Sequence, residues 1–191
     1  MAEVGASIEN SLSGERITWI ETAASSAGQL LAFDLSVSPG ARVALAHRHV
    51  RQEERFIVRS GLIALVVGAQ HRHAAPGETV TIPVGVGHRW WNAGEGEASV
   101  RVELRPALDT ETFFETFFGL ARDGHCKRRG MPSALQIALL LRELGDSSPR
   151  AVGIPLAVQN ALATCLAPLA KRVRLRAVYP EYSPRHASLS T

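Results

Sequence analysis

Two stretches decide the fold: Gly40-ARVALA-His47-Arg48-His49-VRQE-Glu54-RFIVRS-Gly61, and Gly77-ETVTI-Pro83-Val84-Gly85-VG-His88-RWW-Asn92. In an extended strand side chains alternate faces, so His47 and His49 point one way and Arg48 the other. Glu54 follows a short turn, where the next strand runs back beside the first. His88 arrives on a distant strand after a Pro-Val-Gly turn. Four inward side chains on adjacent strands can then converge on one ion. Imidazole and carboxylate are ligands for first-row divalent metals, and three His with one carboxylate leave coordination positions free.

Around these stretches the chain reads as short strands split by turn residues. Strands are predicted at residues 16–21, 29–37, 42–49, 54–59, 62–67, 79–82, 88–92 and 98–104. Breaks fall at Ser38-Pro39-Gly40, Ser60-Gly61, Pro76-Gly77, Gly85–Gly87 and Gly94–Gly96. Many short strands with regular turn signals predict a mainly β fold, an antiparallel barrel or sandwich.

The resemblance carried by the two stretches is to the cupin superfamily. Its first motif is Gly, about five residues, His-x-His, three or four residues, Glu, six residues, Gly. Its second is Gly, five residues, Pro-x-Gly, two residues, His, three residues, Asn. The second motif is matched at every spacing from Gly77 to Asn92. The first is matched with one departure, six residues between Gly40 and His47, and the motif region 40–92 covers about a quarter of the chain. The resemblance implies a double-stranded β-helix, or jelly-roll barrel, at residues 16–106. It also implies His47, His49, Glu54 and His88 as ligands of one divalent transition metal. Iron is the first expectation, with manganese, nickel, cobalt or zinc as alternatives. Glu53 competes with Glu54, but the six residues from Glu54 to Gly61 favour Glu54. A second pair, His71-Arg72-His73, is read as exposed turn histidines, and Asn92 as a strand tie.

Strand phase also predicts the pocket. If His47 and His49 face inward, so do Val43 and Leu45. If Glu54 does, so do Phe56 and Val58, and His88 brings Trp90. This mostly apolar wall suits a hydrophobic or aromatic small-molecule substrate. An outward, ion-paired Arg101 and Glu103 are expected on the strand at 98–104.

After Pro106 the period becomes helical. Asp109 can start a helix through Ala121 with Phe113, Phe114, Phe117 and Phe118 as one stripe. A second helix is expected to start with Pro132 in its first turn, run through Ser133–Leu144 and stop at Gly145. A third runs from Pro155 towards Ala167, where Pro168 should interrupt or kink it. Residues 107–191 are thus read as a helical extension packed on the barrel, and residues 1–15 as a loose polar arm. Residues 1–118 carry 10 Lys/Arg against 14 Asp/Glu, while 119–191 carry 11 against 4. No nucleic-acid motif accompanies this basic half, so nucleic acid is not an expected partner. Residues 151–170 hold no charge but contain two prolines, a glycine, Gln159, Asn160 and Thr164. They read as a buried helix rather than a span, with membrane-surface contact the lesser alternative. Cys126 and Cys165 form no CxxC pattern and no signal peptide is read, so a reduced, cytoplasmic protein is expected. A homodimer is the expected assembly.

The ligands permit several chemistries. Fe(II) with dioxygen would give a dioxygenase. A redox-neutral isomerase, cyclase or lyase would use Glu54 or a metal-bound water to move protons. A non-catalytic small-molecule-binding barrel is the third reading.

Overall fold

A computed structural model describes residues 2–42, 45–126, 130–179 and 181–182. In chain order the strands are β1 (Ser7–Asn10), β2 (Glu15–Glu21), β3 (Leu31–Val37), β4 (His47–Arg48), β5 (Glu53–Ser60), β6 (Ile63–Val67), β7 (Gln70–Ala74), β8 (Thr79–Ile82), β9 (His88–Asn92) and β10 (Ala98–Arg105). Helices α1 (Thr110–Arg122) and α2 (Ala134–Glu143) follow. After a 3-10 turn at Gly145–Ser147 come β11 (Arg150–Ala151) and α3 (Leu156–Arg172). The strands form two antiparallel sheets, ordered β1-β2-β3-β10-β5-β8 and β11-β4-β9-β6-β7. This is a mainly β sandwich of two antiparallel sheets followed by helices.

Alternation builds the core. Across the larger sheet, Trp19, Phe33, Val102, Phe56 and Val80 share one register row and turn to the same face. All five are at most 4% exposed. The opposite faces of β3 and β10 carry Asp34 and Arg101, which form an outward ion pair at 2.6 Å. Glu103 pairs with Arg55 and Arg105 rather than with its own-strand neighbour Arg101.

Gly61 takes φ of 79°, and a Cβ there would lie 2.7 Å from the Cα of Ala98. The hairpin after β5 therefore needs glycine twice over, for its backbone angle and for its closeness to β10. Gly61→Ala should cost more than about 2 kcal/mol, because a fixed backbone clash adds to the left-handed strain. Chemical denaturation checks this, and a loss under about 0.5 kcal/mol would contradict the packing.

Asn92 is the tie expected of it. Its buried side chain donates to the carbonyls of Val37, Ser38 and Gly96 and accepts from Gly94 N–H.

Several expectations need correction. The arm at residues 1–15 contributes β1, paired with β2 from Ser7↔Thr18 to Asn10↔Glu15. An edge strand half open to solvent needs no apolar alternation, so composition concealed it. His71 and His73 are exposed, but they lie within β7 rather than in a turn. Of the strand expected at residues 42–49, the described residues show His47–Arg48 as a strand and one isolated bridge between Arg42 and Trp91. Helix α3 continues past Pro168 to Arg172. Pro168 and Thr164 are both exposed, so water can satisfy the Thr164 carbonyl that the proline leaves without its helical donor.

The helices divide the remaining work. Ser133 caps α2 by accepting from Gln136 N–H at 3.2 Å. Phe114 of α1 meets Phe33 at 5.3 Å and Trp19 at 6.5 Å. Phe113 packs with Leu140 and Leu144 on the side of α2. Helix α3 buries a small-residue face, Ala163, Ala167 and Ala170, and leaves Val158, Leu162, Leu169 and Val173 exposed. No helix among the described residues is long and apolar enough to cross a membrane.

Candidate metal centre

His47 and His88 are direct register partners where β4 meets β9. His49 lies just beyond β4, and Glu54 enters from β5 on the facing sheet, in the row with Leu104 and Ile82. Each of the four offers a ligand atom, and these atoms lie within 4.8 Å of one another. Glu54 Oε2 lies 2.8 Å from His88 Nε2 and 3.4 Å from His49 Nε2. Glu54 is 6% exposed, whereas Glu53 is half-buried on the other face of β5. Alternation thus places Glu54, and not Glu53, in the cluster.

Backbone carbonyls orient two of the rings. His47 Nδ1 lies 3.1 Å from Leu45 O, and His88 Nδ1 lies 3.4 Å from Val86 O. A proton held on Nδ1 by these acceptors leaves Nε2 with a lone pair facing the cluster, the arrangement a metal ligand needs.

The donor set fits a metal ion. His49 Nδ1 and Nε2, Glu54 Oε2 and His88 Nε2 are buried without a hydrogen bond of proper geometry. Buried polar atoms are ordinarily satisfied, and three of these, His49 Nε2, Glu54 Oε2 and His88 Nε2, converge within reach of a single common partner. Nitrogen and oxygen donors of this kind suit a divalent transition metal.

Electrostatics agree. Burial alone would raise the Glu54 pKa. The attraction of His49 and His88, with their contacts to the carboxylate, instead holds it well below the usual range. Burial alone would lower His88, yet Glu54 raises it. His47 is pushed down to about 3 by burial and then by His88 and His49. At neutral pH, then, Glu54 is an anion and His47 is neutral, the forms that bind metal.

A cavity of about 180 Å³ reaches this cluster. Leu45, Phe56 and Trp90 line it together with His47, His49 and Glu54. Phe56 sits 6.4 Å from the His88 ring and 6.1 Å from Trp90. Leu45 is 56% exposed, and β4 begins only at His47, so Leu45 belongs to the rim rather than to a buried strand. Val58 is buried in the core but is not among the cavity's lining residues. Val43 lies outside the described residues. All four phenylalanines of α1 line the cavity, with Ile137, Leu140 and Leu141 from α2. The stripe therefore covers the space between the sheets.

Two contributors escaped the sequence reading. Gln159 of α3 lines the cavity and pairs with both backbone groups of Ala151, its Oε1 accepting at 3.0 Å and its Nε2 donating at 2.9 Å. It thereby completes the edge of β11. Gln52 Nε2 donates to Pro106 O, Ala107 O and Thr110 Oγ1, tying the entry to β5 to the start of α1. Neither has a periodic signal, because a single amide answering distant backbone groups leaves no pattern in its neighbours.

Three histidines and a carboxylate are thus gathered inside two antiparallel sheets, in a cluster that could hold a metal ion. Residues 33–104 match the family model described as Cupin domain. No match is found among curated proteins. Solved structures similar to the chain include a sugar phosphate isomerase of the cupin superfamily from Silicibacter pomeroyi, with 24% identity and a TM-score of 0.44. That likeness covers 49% of this chain and 60% of the other, less than two thirds of its length. KdgF from Halomonas sp. is similar over 49% of this chain and 79% of that one, at 20% identity and a TM-score of 0.44. A predicted oxalate decarboxylase from Thermotoga maritima is similar at 14% identity and a TM-score of 0.46, over 48% and 80%.

Proposed function

We propose that this protein is a metal-dependent enzyme acting on a small hydrophobic or aromatic molecule, and that its reaction is an Fe(II)-dependent dioxygenation. The observation that carries the reading is a complete ligand set with orphaned buried donor atoms, opening into an aromatic cavity. A barrel that only bound apolar ligands would bear the cost of four buried polar groups without need. His47, His49, Glu54 and His88 would hold the ion. A divalent iron bound there would supply the redox chemistry with dioxygen, and another divalent metal would supply Lewis acidity.

The chain's own residues do the rest. Phe56 and Trp90 offer flat faces beside the ligands and orient an aromatic or enolic substrate. The α1 phenylalanines keep water from the cavity, which strengthens every charge interaction inside it. Glu54, held ionised, lines the cavity beside His47 and His49, and in a redox-neutral reaction Glu54 or a metal-bound water would move the substrate proton.

The test is anaerobic purification with metal analysis, then oxygen consumption against a panel of phenolic and enolic substrates after iron loading. Oxygen uptake dependent on iron and on one substrate class is the expected result. Tightly held zinc with no oxygen uptake after iron loading would sink the dioxygenation and leave isomerase, cyclase or lyase chemistry. Failure to hold any metal would overturn the enzyme reading in favour of a binding barrel.

A further inference from the structure

One carboxyl in the cavity wall has no part in the metal cluster. Glu15 opens β2 in phase with Ile17 and Trp19, so it turns to the inner face, and it lines the same cavity as His47, His49 and Glu54. The register places it far from them. Glu15 lies opposite Val37, and Val37 opposite Ala98, whereas Glu54 lies in the row of Leu104 and Leu31. Those rows are six residues apart along β3, about 20 Å at roughly 3.3 Å per residue. Ile17, Leu35, Phe56 and Trp90 line the wall between.

The other polar groups of the wall are engaged. Thr110 Oγ1 accepts from Gln52, and Gln159 is bonded to Ala151 and Ile154. Glu15 has no ion-pair partner among the described residues and is assisted only by the Ser13 side chain. It also borders an outer cleft with Glu9, Glu97 and Arg16, so three carboxylates face a single guanidinium. Burial in the apolar wall raises its pKa to about 7 against the lowering effect of Ser13.

We propose that Glu15 is the recognition group for an amine, and that the cavity takes an elongated apolar or aromatic amine whose other end reaches the metal cluster. This rests on the cavity being the substrate pocket. A carboxylate beside an apolar wall is costly unless a cation joins it. An ammonium group supplies that cation with charge-assisted hydrogen bonds, whereas a ligand carboxylate would meet the like charge of Glu15.

The experiment compares decylamine, decanol and decanoate, titrated calorimetrically into the metal-stripped full chain. The native protein should bind the amine about tenfold or more tighter than the alcohol, and decanoate weakest. Because Glu15 is part-protonated at pH 7 and ionised in the complex, amine binding should release about half a proton. Glu15→Gln should erase both the amine preference and the proton release while leaving decanol affinity and metal uptake unchanged. Glu15→Lys should reverse the preference towards decanoate. Equal affinity for amine and alcohol in the native protein, a preference that survives Glu15→Gln, or no binding of any probe would each overturn the proposal. Metal uptake is read separately. A chain that holds no metal yet prefers amines would refute the enzyme reading and spare this one.

Discussion

Replacing His47 and His88 together with alanine should reduce metal content from about one ion per chain to near zero. Loss of an outer-shell partner alone typically costs about 10–100-fold in metal affinity, and two direct ligands cost far more. The remaining His49 and Glu54 come from different sheets and cannot close a coordination sphere. Elemental analysis after dialysis against a weak chelator measures this, and normal metal content in the double variant would refute the site.

The pH behaviour of the metal-free protein should change with it. Glu54 has a depressed folded pKa. Its stabilisation is complete above the unfolded value near 4.5 and is lost as pH falls through the lower folded value. His88 has a raised folded pKa. Its stabilisation is complete below the unfolded value near 6.5 and is lost as pH rises through the folded value. The ion pair therefore contributes most between about pH 4.5 and 6.5. His47 acts in the opposite sense. Held neutral down to about pH 3, it costs stability as pH falls below 6.5, where the unfolded chain takes the proton that the fold refuses. Removing both histidines should thus abolish the loss of stability above pH 6.5 that is expected of the native apo-protein. Metal also competes with the His88 proton, so native metal affinity should fall as pH drops. Thermal midpoints across pH 4–9, with and without metal, distinguish the two effects.

The cluster of three histidines and Glu54 was legible because its geometry follows from strand phase and turn residues. His47 and His49 sit two apart on one face, Glu54 is fixed by its distance to Gly61, and His88 follows a turn that only Pro and Gly residues make easily. Strands β5, β8, β9 and β10 were legible because alternation sorts buried from exposed residues on both sides of each. Phase failed where the strand itself ended. Leu45 precedes β4 and becomes a rim residue, so parity with His47 no longer governs its burial. It also failed at the sheet edges, where β1 and β7 need no apolar face. Tertiary polar contacts were illegible for another reason. Gln52 finds its acceptors 54 to 58 residues away, and Glu15 acquires its meaning only when α1 and α2 enclose the space in front of it. A glutamine beside Glu53 and Glu54 reads from sequence as part of a solvated turn.

Gln52→Leu is the second large effect expected. Gln52 is 1% exposed, and its amide nitrogen lies 2.8–3.0 Å from three acceptors. Ala107 and Thr110 are fully buried, so leucine would leave a carbonyl and a hydroxyl without donor or water. Stranding such groups costs about 1–3 kcal/mol each, partly recovered by the added apolar burial, so a net loss of about 2–4 kcal/mol is expected. For a chain of this size that is a fall of roughly 5–15 °C in thermal midpoint. The damage should be directional. Gln52 holds the first turn of α1, whose phenylalanines cover the cavity, whereas the histidines are held by β4, β9 and backbone carbonyls. Amide exchange should therefore quicken along Thr110–Arg122 while β9 and β10 stay protected. Metal content should remain near native as the affinity for apolar ligands falls. Exchange that quickens equally in β9 and α1, or a midpoint that does not move, would mean that Gln52 does not anchor the aromatic lid.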